Sequence, residues 1–230
     1  MSKRITVAID GPAGAGKSTL ARRIAEKLGY LYIDTGAMYR AVALLALRAG
    51  VAVDDEGAVL RLARAHPVDI RLGGATPLGF RVFAGDEELG AELYGNGVST
   101  VVSVVAAHPL VRELMVARQR SIATLGPVVI AGRDIGTIVL PDAPVKVFLT
   151  ASVDARVRRR RMELAERGVA IDESELTAQM LERDRLDRER PVAPLQPAPG
   201  AHLIDSTDLS IDQVVDAIAG LATHPAAPGR

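Results

Sequence analysis

Ile5-Thr-Val-Ala-Ile9 is an apolar run, Gly11-Pro12-Ala13-Gly14-Ala15-Gly16-Lys17-Ser18 follows it after one aspartate, and Thr19 to Leu28 continues with helical periodicity. Strand, glycine-rich loop and helix in that order are the setting a phosphate-binding P-loop requires. The glycines allow successive backbone N–H groups to turn toward one point, where they and the positive end of the helix surround an anion. Lys17 is placed to reach the outer phosphates as a mobile point charge, and Ser18 offers a hard oxygen to a Mg²⁺ ion arriving with a triphosphate. The expected cofactor-binding set is Gly11, Pro12, Ala13, Gly14, Ala15, Gly16, Lys17, Ser18 and Thr19, with Ser18 as the metal ligand. A glycine-rich turn that merely links strand to helix would not account for a lysine at that position.

The chain has 230 residues, 48% of them apolar, and a mean hydropathy of +0.17. It is long enough to bury a sizeable core and suits one α/β domain with insertions. Lys plus Arg equals Asp plus Glu at 28 each, so no net field attracts a polyanion and nonspecific nucleic-acid binding is not expected. Aromatic residues make up 3% with no Trp, which leaves little for a base-stacking platform. Cys is absent, excluding disulfides, a thiolate nucleophile and Cys-bound metal. His66, His108, His202 and His224 show no metal-ligand spacing and read as surface or capping residues. No apolar stretch reaches membrane-spanning length and no leader precedes the first strand, so a cytoplasmic protein is expected.

Beyond the first βα unit, Tyr30 to Asp34 reads as a strand, followed by Thr35-Gly36 and a helix through Met38 to Ala49; strand, helix, strand predicts a parallel sheet. Asp55 to Ala65 reads as another helix. The period then changes: Val68 to Leu72, Gly79 to Phe83 and Glu87 to Tyr94 predict a small antiparallel sheet inserted at about 68–97. Helices are predicted over 98–107 and, from Pro109, to Leu125. Val128 to Ala131, Val145 to Leu149 and His202 to Asp205 read as further strands. Helices are expected over 153–167, 173–189 and 211–221, and 223–230 as a disordered tail.

Three further segments carry candidate chemistry. Asp34-Thr35-Gly36-Ala-Met-Tyr39-Arg40 leaves the second strand, and open parallel sheets bind ligands beyond the carboxyl ends of their strands. Arg40 is positioned there for a phosphate the P-loop does not hold, the alternative being a capping Thr35 and a surface arginine. Gly132-Arg133-Asp134-Ile-Gly136 follows the strand at 128–131 and reads equally as a site or as a turn with a local ion pair. Arg156 and Arg158 to Arg161 place five arginines in six residues, either a solvated basic face or a closing lid that brings positive charge to a migrating phosphoryl group. In the helix 173–189, a stripe through Leu176 and Met180 continues into Arg183, Asp187 and Arg190, so its buried face turns from apolar to charged. Asp184, Arg185 and Arg188 are expected to be solvated. No obvious acidic magnesium ligand follows a core strand.

Taken together, these segments resemble the bacterial cytidylate kinases, nucleoside monophosphate kinases, over essentially the whole chain. The matching stretches are Ile9-Asp-Gly-Pro-Ala-Gly-Ala-Gly-Lys-Ser-Thr19, Asp34 to Arg40, Ser103 to Ala107 with Pro109 to Arg112, Ala131 to Thr137, Pro141 to Phe148 and Glu182 to Arg190. The resemblance implies a five-stranded parallel core flanked by helices, a monophosphate-binding region at about 35–108 containing the antiparallel insert, and an arginine-rich lid at about 154–190. It implies ATP with Mg²⁺ as phosphoryl donor and CMP or dCMP as acceptor. Ser103, Arg112 and Asp134 match positions that recognise cytosine. Thr35, Tyr39, Arg40, Arg133, Arg183 and Arg190 match the monophosphate site, Asp187 and Arg183 the ribose site, and Arg159 and Arg160 lid arginines. The catalytic set expected is Lys17, Arg159, Arg160 and Arg183. Thr35 replaces a common Ser while keeping the hydroxyl, and Arg161 is an addition without an assigned role. A monomer is expected. Rival readings are a P-loop kinase for another small acceptor, a nucleotide-driven switch that hydrolyses without one, and, less compatible with composition, an RNA-processing role.

Overall fold

The computed structural model of the chain describes residues 6–72, 79–166 and 168–223. Strand β1 (Thr6–Asp10) lies at the centre of a parallel sheet with β2 (Leu31–Asp34), β6 (Val128–Gly132), β7 (Val145–Thr150) and β8 (His202–Asp205), in the order β2-β6-β1-β7-β8. The apolar runs of β1 and β6 fit their central places. Parallel strands covered on both faces by helices need apolar side chains on both sides, and β6 is buried along its whole length. At the edge, β8 alternates less strictly and leaves His202, Leu203 and Asp205 exposed.

Helices α1 (Lys17–Leu28), α2 (Thr35–Arg48), α3 (Glu56–Ala65), α4 (Asn96–Val105), α5 (Pro109–Ala123), α6 (Val153–Glu166), α7 (Glu173–Glu189) and α8 (Ile211–Thr223) complete the chain. Pro109 opens α5, where its missing N–H lacks no helical partner. Glycines at 29 and 168 take left-handed φ after α1 and before α7. Register brings the carboxyl ends of three strands level: Asp10 faces Gly132, and Asp34 faces Ala131. The loops leaving these strands therefore meet above the middle of the sheet.

The insert forms a three-stranded antiparallel sheet of β3 (Val68–Leu72), β4 (Phe80–Ala84) and β5 (Glu87–Leu89). Its last strand is shorter than expected. The segment predicted as strand through Tyr94 becomes a 3₁₀ turn at Ala91–Tyr94, where the Glu92 carboxylate accepts from Gly90 N at 3.0 Å and pairs with Arg48 at 3.3 Å. That turn buries Leu93 against the core. Thr223, placed at the start of the predicted tail, belongs to α8, and 224–230, including His224, lies outside the described residues. No single described helix is long and apolar enough to cross a membrane.

α6 and α7 have an apolar cluster of their own, Val157, Leu164, Leu176 and Met180, separate from the main core. This pair of helices corresponds to the predicted lid.

Candidate active site

Gly14 and Gly16 adopt left-handed φ of +73° and +90°, which side-chain-bearing residues adopt only with strain. The space is as restrictive as the dihedral. A Cβ on Gly11 would lie 2.0 Å from the Leu149 carbonyl oxygen, and one on Gly14 would lie 2.8 Å from Met180 Cε. The loop then enters α1 at Lys17, whose Nζ donates to Pro12 O at 2.7 Å. Burial holds the Lys17 ammonium well below the usual lysine range, and Arg133 and Arg183 add to that effect against the attraction of Asp34. An arriving anion would relieve this repulsion.

Ser18 Oγ donates to Asp34 Oδ2 at 2.6 Å, while the other carboxylate oxygen caps α2 by accepting from Gly36 N at 2.9 Å. Asp34 is thus the N-cap of α2, and Thr35 is not; its hydroxyl donates to Ala131 O on β6 at 2.9 Å. The expectation that no acid stands near the metal ligand is corrected here. The end of β2 delivers Asp34 to Ser18 because β6 alone separates β2 from β1. A hydroxyl and one carboxylate fit Mg²⁺ held chiefly by phosphates and water. Among the described residues, no group of three or more His, Cys, Asp or Glu side chains could hold a metal by itself.

A cavity of about 880 Å³ opens over this loop. Residues 13–19 line it, whereas Gly11 and Pro12 do not. Arg40, Arg133, Arg159, Arg160 and Arg183 converge on the same space from α2, the β6 loop, α6 and α7. A smaller cavity of about 50 Å³ shares Gly36, Ser103, Arg133 and Arg183 with it and is also lined by Thr35, Tyr39, Arg112, Asp134, Asp187 and Arg190. Every side chain expected at an acceptor site therefore borders one of two joined cavities.

Charge is densely arranged around the smaller one. Asp134, at the end of β6, pairs with Arg112, which also donates to Ala106 O at 3.1 Å, and Arg190 Nη2 stands 3.7 Å from its other oxygen. Burial raises the Asp134 carboxyl above the ordinary value although Arg112 and Arg190 oppose it. Arg133 Nε donates to Asp187 Oδ2 at 2.8 Å. Burial works against the Asp187 charge, but Arg133 and Arg183 outweigh it and hold the carboxyl low. Arg183 is the least compensated group: burial, then Arg133 and Arg40, brings its guanidinium down to about 9. Its Nε and Arg190 Nη2 are buried without hydrogen-bond partners. Arg40 is fixed by Leu93 O at 3.1 Å and Ser99 Oγ at 2.9 Å, with its guanidinium over the Tyr94 ring.

The arginine run of α6 divides. Arg158 and Arg161 are exposed, and Arg161 pairs with Glu173 at the start of α7. Arg159 donates to Ser206 Oγ at 3.1 Å and Ser206 O at 2.6 Å, tying the cleft wall to the loop before α8. Arg160 pairs with Glu163 at 2.7 Å. Arg156 is buried rather than solvated. So is Asp184, contrary to expectation, and the two form an ion pair at 2.7 Å. On a helix, Asp184 lies one turn beyond Met180 and one turn before Asp187; it flanks the buried stripe on the side where α6 packs. Arg185 and Arg188 are exposed, as expected.

Asp10 was not legible as part of the site. Its two oxygens accept from Ile135 N and Gly136 N, each at 2.7 Å, fixing the turn that presents Asp134. Burial raises its carboxyl to about 6 despite those two bonds.

A phosphate-binding loop facing a second, arginine-lined anion pocket across one cleft defines a class, the P-loop phosphotransferases. The model of the cytidylate kinase family matches residues 7–224. A cytidylate kinase of Geobacillus kaustophilus is 52% identical over 218 residues, covering 95% of this chain and 96% of that one. One from Pelotomaculum thermopropionicum is 50% identical over 212 residues, covering 92% and 93%. Among solved structures, an uncharacterised protein from Eubacterium ventriosum shares the fold with a TM-score of 0.52 at 13% identity, over 96% of this chain and 99% of that one. The chain belongs to the cytidylate kinase family.

Proposed function

We propose that this enzyme transfers the γ-phosphoryl group of ATP to CMP and dCMP, giving CDP or dCDP and ADP. The observation that carries the reading is the pocket in which Asp134 and Arg112 lie beside Arg133, Arg183 and Arg190 and open onto the P-loop cavity. Asp134, whose charge Arg112 and Arg190 favour against burial, accepts from the exocyclic amino group of cytosine, where uracil presents a carbonyl. Ser103 and Arg112 supply donors to the same base. Asp187 holds the ribose. The guanidinium groups of Arg40, Arg133, Arg183 and Arg190 gather on the acceptor phosphate, whose negative charge would oppose the burial and like charges that lower Arg183.

In the transfer, an acceptor phosphate oxygen forms a bond to the γ-phosphorus as the bond to the bridging oxygen of ADP breaks. The acceptor is already an anion, so no protein base or nucleophile is required. Lys17, Arg159, Arg160 and Arg183 offset the repulsion between two anions and spread charge from the migrating group. Ser18 and Asp34 would hold a Mg²⁺ ion brought with the triphosphate, and that ion would supply further neutralisation. Closure of α6 and α7 over the cleft excludes water that would otherwise consume ATP. Such a reaction needs one chain and the cytoplasmic nucleotide pool, so a cytoplasmic monomer that binds neither nucleic acid nor membrane is the corresponding assembly.

The test is steady-state transfer from ATP to CMP, dCMP, UMP and AMP, with light scattering for the oligomeric state. CMP and dCMP are expected to exceed UMP and AMP in kcat/KM. Equal efficiency on AMP and CMP would defeat the cytosine assignment.

A further inference from the structure

Arg156 and Asp184 line neither cavity, yet they form the most deeply buried bridge between the two halves of the site. Each is nearly inaccessible, at 3% and 4% side-chain exposure. The Arg156 guanidinium makes three contacts at once: Nη1 donates to Ala13 O of the P-loop at 3.0 Å, Nε to Ala151 O at the end of β7 at 3.2 Å, and Nη2 meets Asp184 Oδ2 at 2.7 Å. Asp184 adjoins Arg183 and stands one turn before Asp187, the two acceptor-side groups of α7. The loop tip is in direct contact with the same helices, since a Cβ on Gly14 would lie 2.8 Å from Met180 Cε and 3.1 Å from Arg156 Cβ.

A pair retained for stability alone would be expected to satisfy its acceptors, because a buried ion pair gains over apolar side chains only when its remaining lone pairs are met. Asp184 Oδ1 is buried with no hydrogen-bond partner. The planar fork of arginine suits the bridging task, since it can serve a carbonyl and a carboxylate in fixed directions.

We propose that Arg156 and Asp184 are positioning residues for phosphoryl transfer, a strut that sets the separation between the P-loop and the stretch of α7 bearing Arg183 and Asp187. The proposal rests on the ATP and CMP reading given above. In-line transfer depends steeply on the placement of its two anions, and a misplacement of about 1 Å can lower the rate by roughly 10²-fold. The strut therefore acts on kcat more than on either binding step.

The experiment compares wild type, the double variant Arg156→Met/Asp184→Leu and the single variant Arg156→Lys, each measured for melting temperature, kcat and the KM of both substrates. The double variant removes both charges and fills the space with apolar groups but leaves the Ala13 and Ala151 carbonyl oxygens without their donor, so its melting temperature should fall by several degrees while the fold is kept. Its kcat should fall by something like 10²-fold, with each KM within about threefold. Arg156→Lys keeps a charge for Asp184 and loses the fork; we expect roughly a tenfold fall in kcat with the fold intact. Wild-type kcat in a folded double variant overturns the strut, as does wild-type kcat in Arg156→Lys should the double variant not fold. A rise in one KM alone with kcat unchanged overturns it too. Wild-type transfer to CMP is the control: its absence refutes the acceptor assignment, after which the same variants are compared on whichever monophosphate is used.

Discussion

The two anion sites of this protein are built from opposite materials. The P-loop is continuous in sequence and binds with main-chain N–H groups, one lysine and one serine, all within residues 11–18. The proposed acceptor site is discontinuous and is lined by guanidinium groups from α2, α5, the β6 loop, α7 and the residue just after it. In the first, specificity for phosphate comes from backbone conformation, so glycine is the residue that cannot be exchanged. In the second, the group proposed to read the base is a carboxylate that is itself held by arginines, so on that proposal charge balance carries the discrimination.

That contrast predicts where substitutions act. The largest effect is expected at Asp134: Asp134→Ala should lower kcat/KM for CMP by about 10²-fold or more, as loss of a buried base-reading hydrogen bond does, with the KM for ATP little changed. Varying each substrate against the other measures this, and an unaltered kcat/KM would make Asp134 a structural residue. Next is the loop. Gly14→Val forces a β-branched residue to φ +73° against Met180, a strain of about 1–3 kcal/mol. Weaker binding of a non-hydrolysable ATP analogue by roughly tenfold, with CMP affinity retained, is the expected result of titration calorimetry. Equal losses for both ligands would erase the distinction between the two sites.

Asp10 joins them, since it precedes the loop in sequence and holds the turn behind Asp134. Its folded value of about 6 lies above the ordinary aspartate value of 3.8, so between these limits the native state binds the extra proton. Its contribution to stability is therefore fully favourable below pH 3.8 and declines as pH rises to 6. Relative to Asp10→Asn, which does not titrate there, wild type should lose up to about 3 kcal/mol across that window. Urea unfolding at pH 4.5 and 7.5 reads the difference; a constant gap would show that Asp10 keeps an ordinary carboxylate's behaviour. The smallest effect belongs to Arg185, exposed and paired with Glu182 and Glu189 on the outer face of α7. Arg185→Ala should leave melting temperature and kcat/KM within experimental scatter.

Legibility in the sequence followed the same division. The P-loop announced itself because its chemistry depends on local spacing. The parallel strands were readable from their apolar runs, and the helices to within a residue or two at most ends. The strand expected through Tyr94 failed where Glu92 turned back on Gly90, a short-range contact that alternation of residue types does not encode. Asp184 was misplaced for a different reason. Helical periodicity ranks faces by hydrophobicity, and a carboxylate at the edge of a stripe reads as solvated until a partner helix supplies Arg156. The pairing of Asp34 with Ser18 and the role of Asp10 escaped notice because the contacts, Ser18 and the turn after Asp134, lie 16 and about 125 residues away.

By itself, the sequence determined that this protein binds a phosphate chain on a glycine loop, that its core is a parallel sheet, and which arginines were available to a second anion. Local backbone geometry and the period of apolar residues suffice for those conclusions. Only the tertiary structure decided which charges meet. Register of β1, β2 and β6 sets Asp34 beside Ser18 and Asp10 beneath the Asp134 turn, and packing of α6 on α7 buries Arg156 with Asp184. The physical reason is that ion pairing in a low-dielectric interior depends on distances of a few ångströms between groups far apart in the chain, a quantity no local pattern contains.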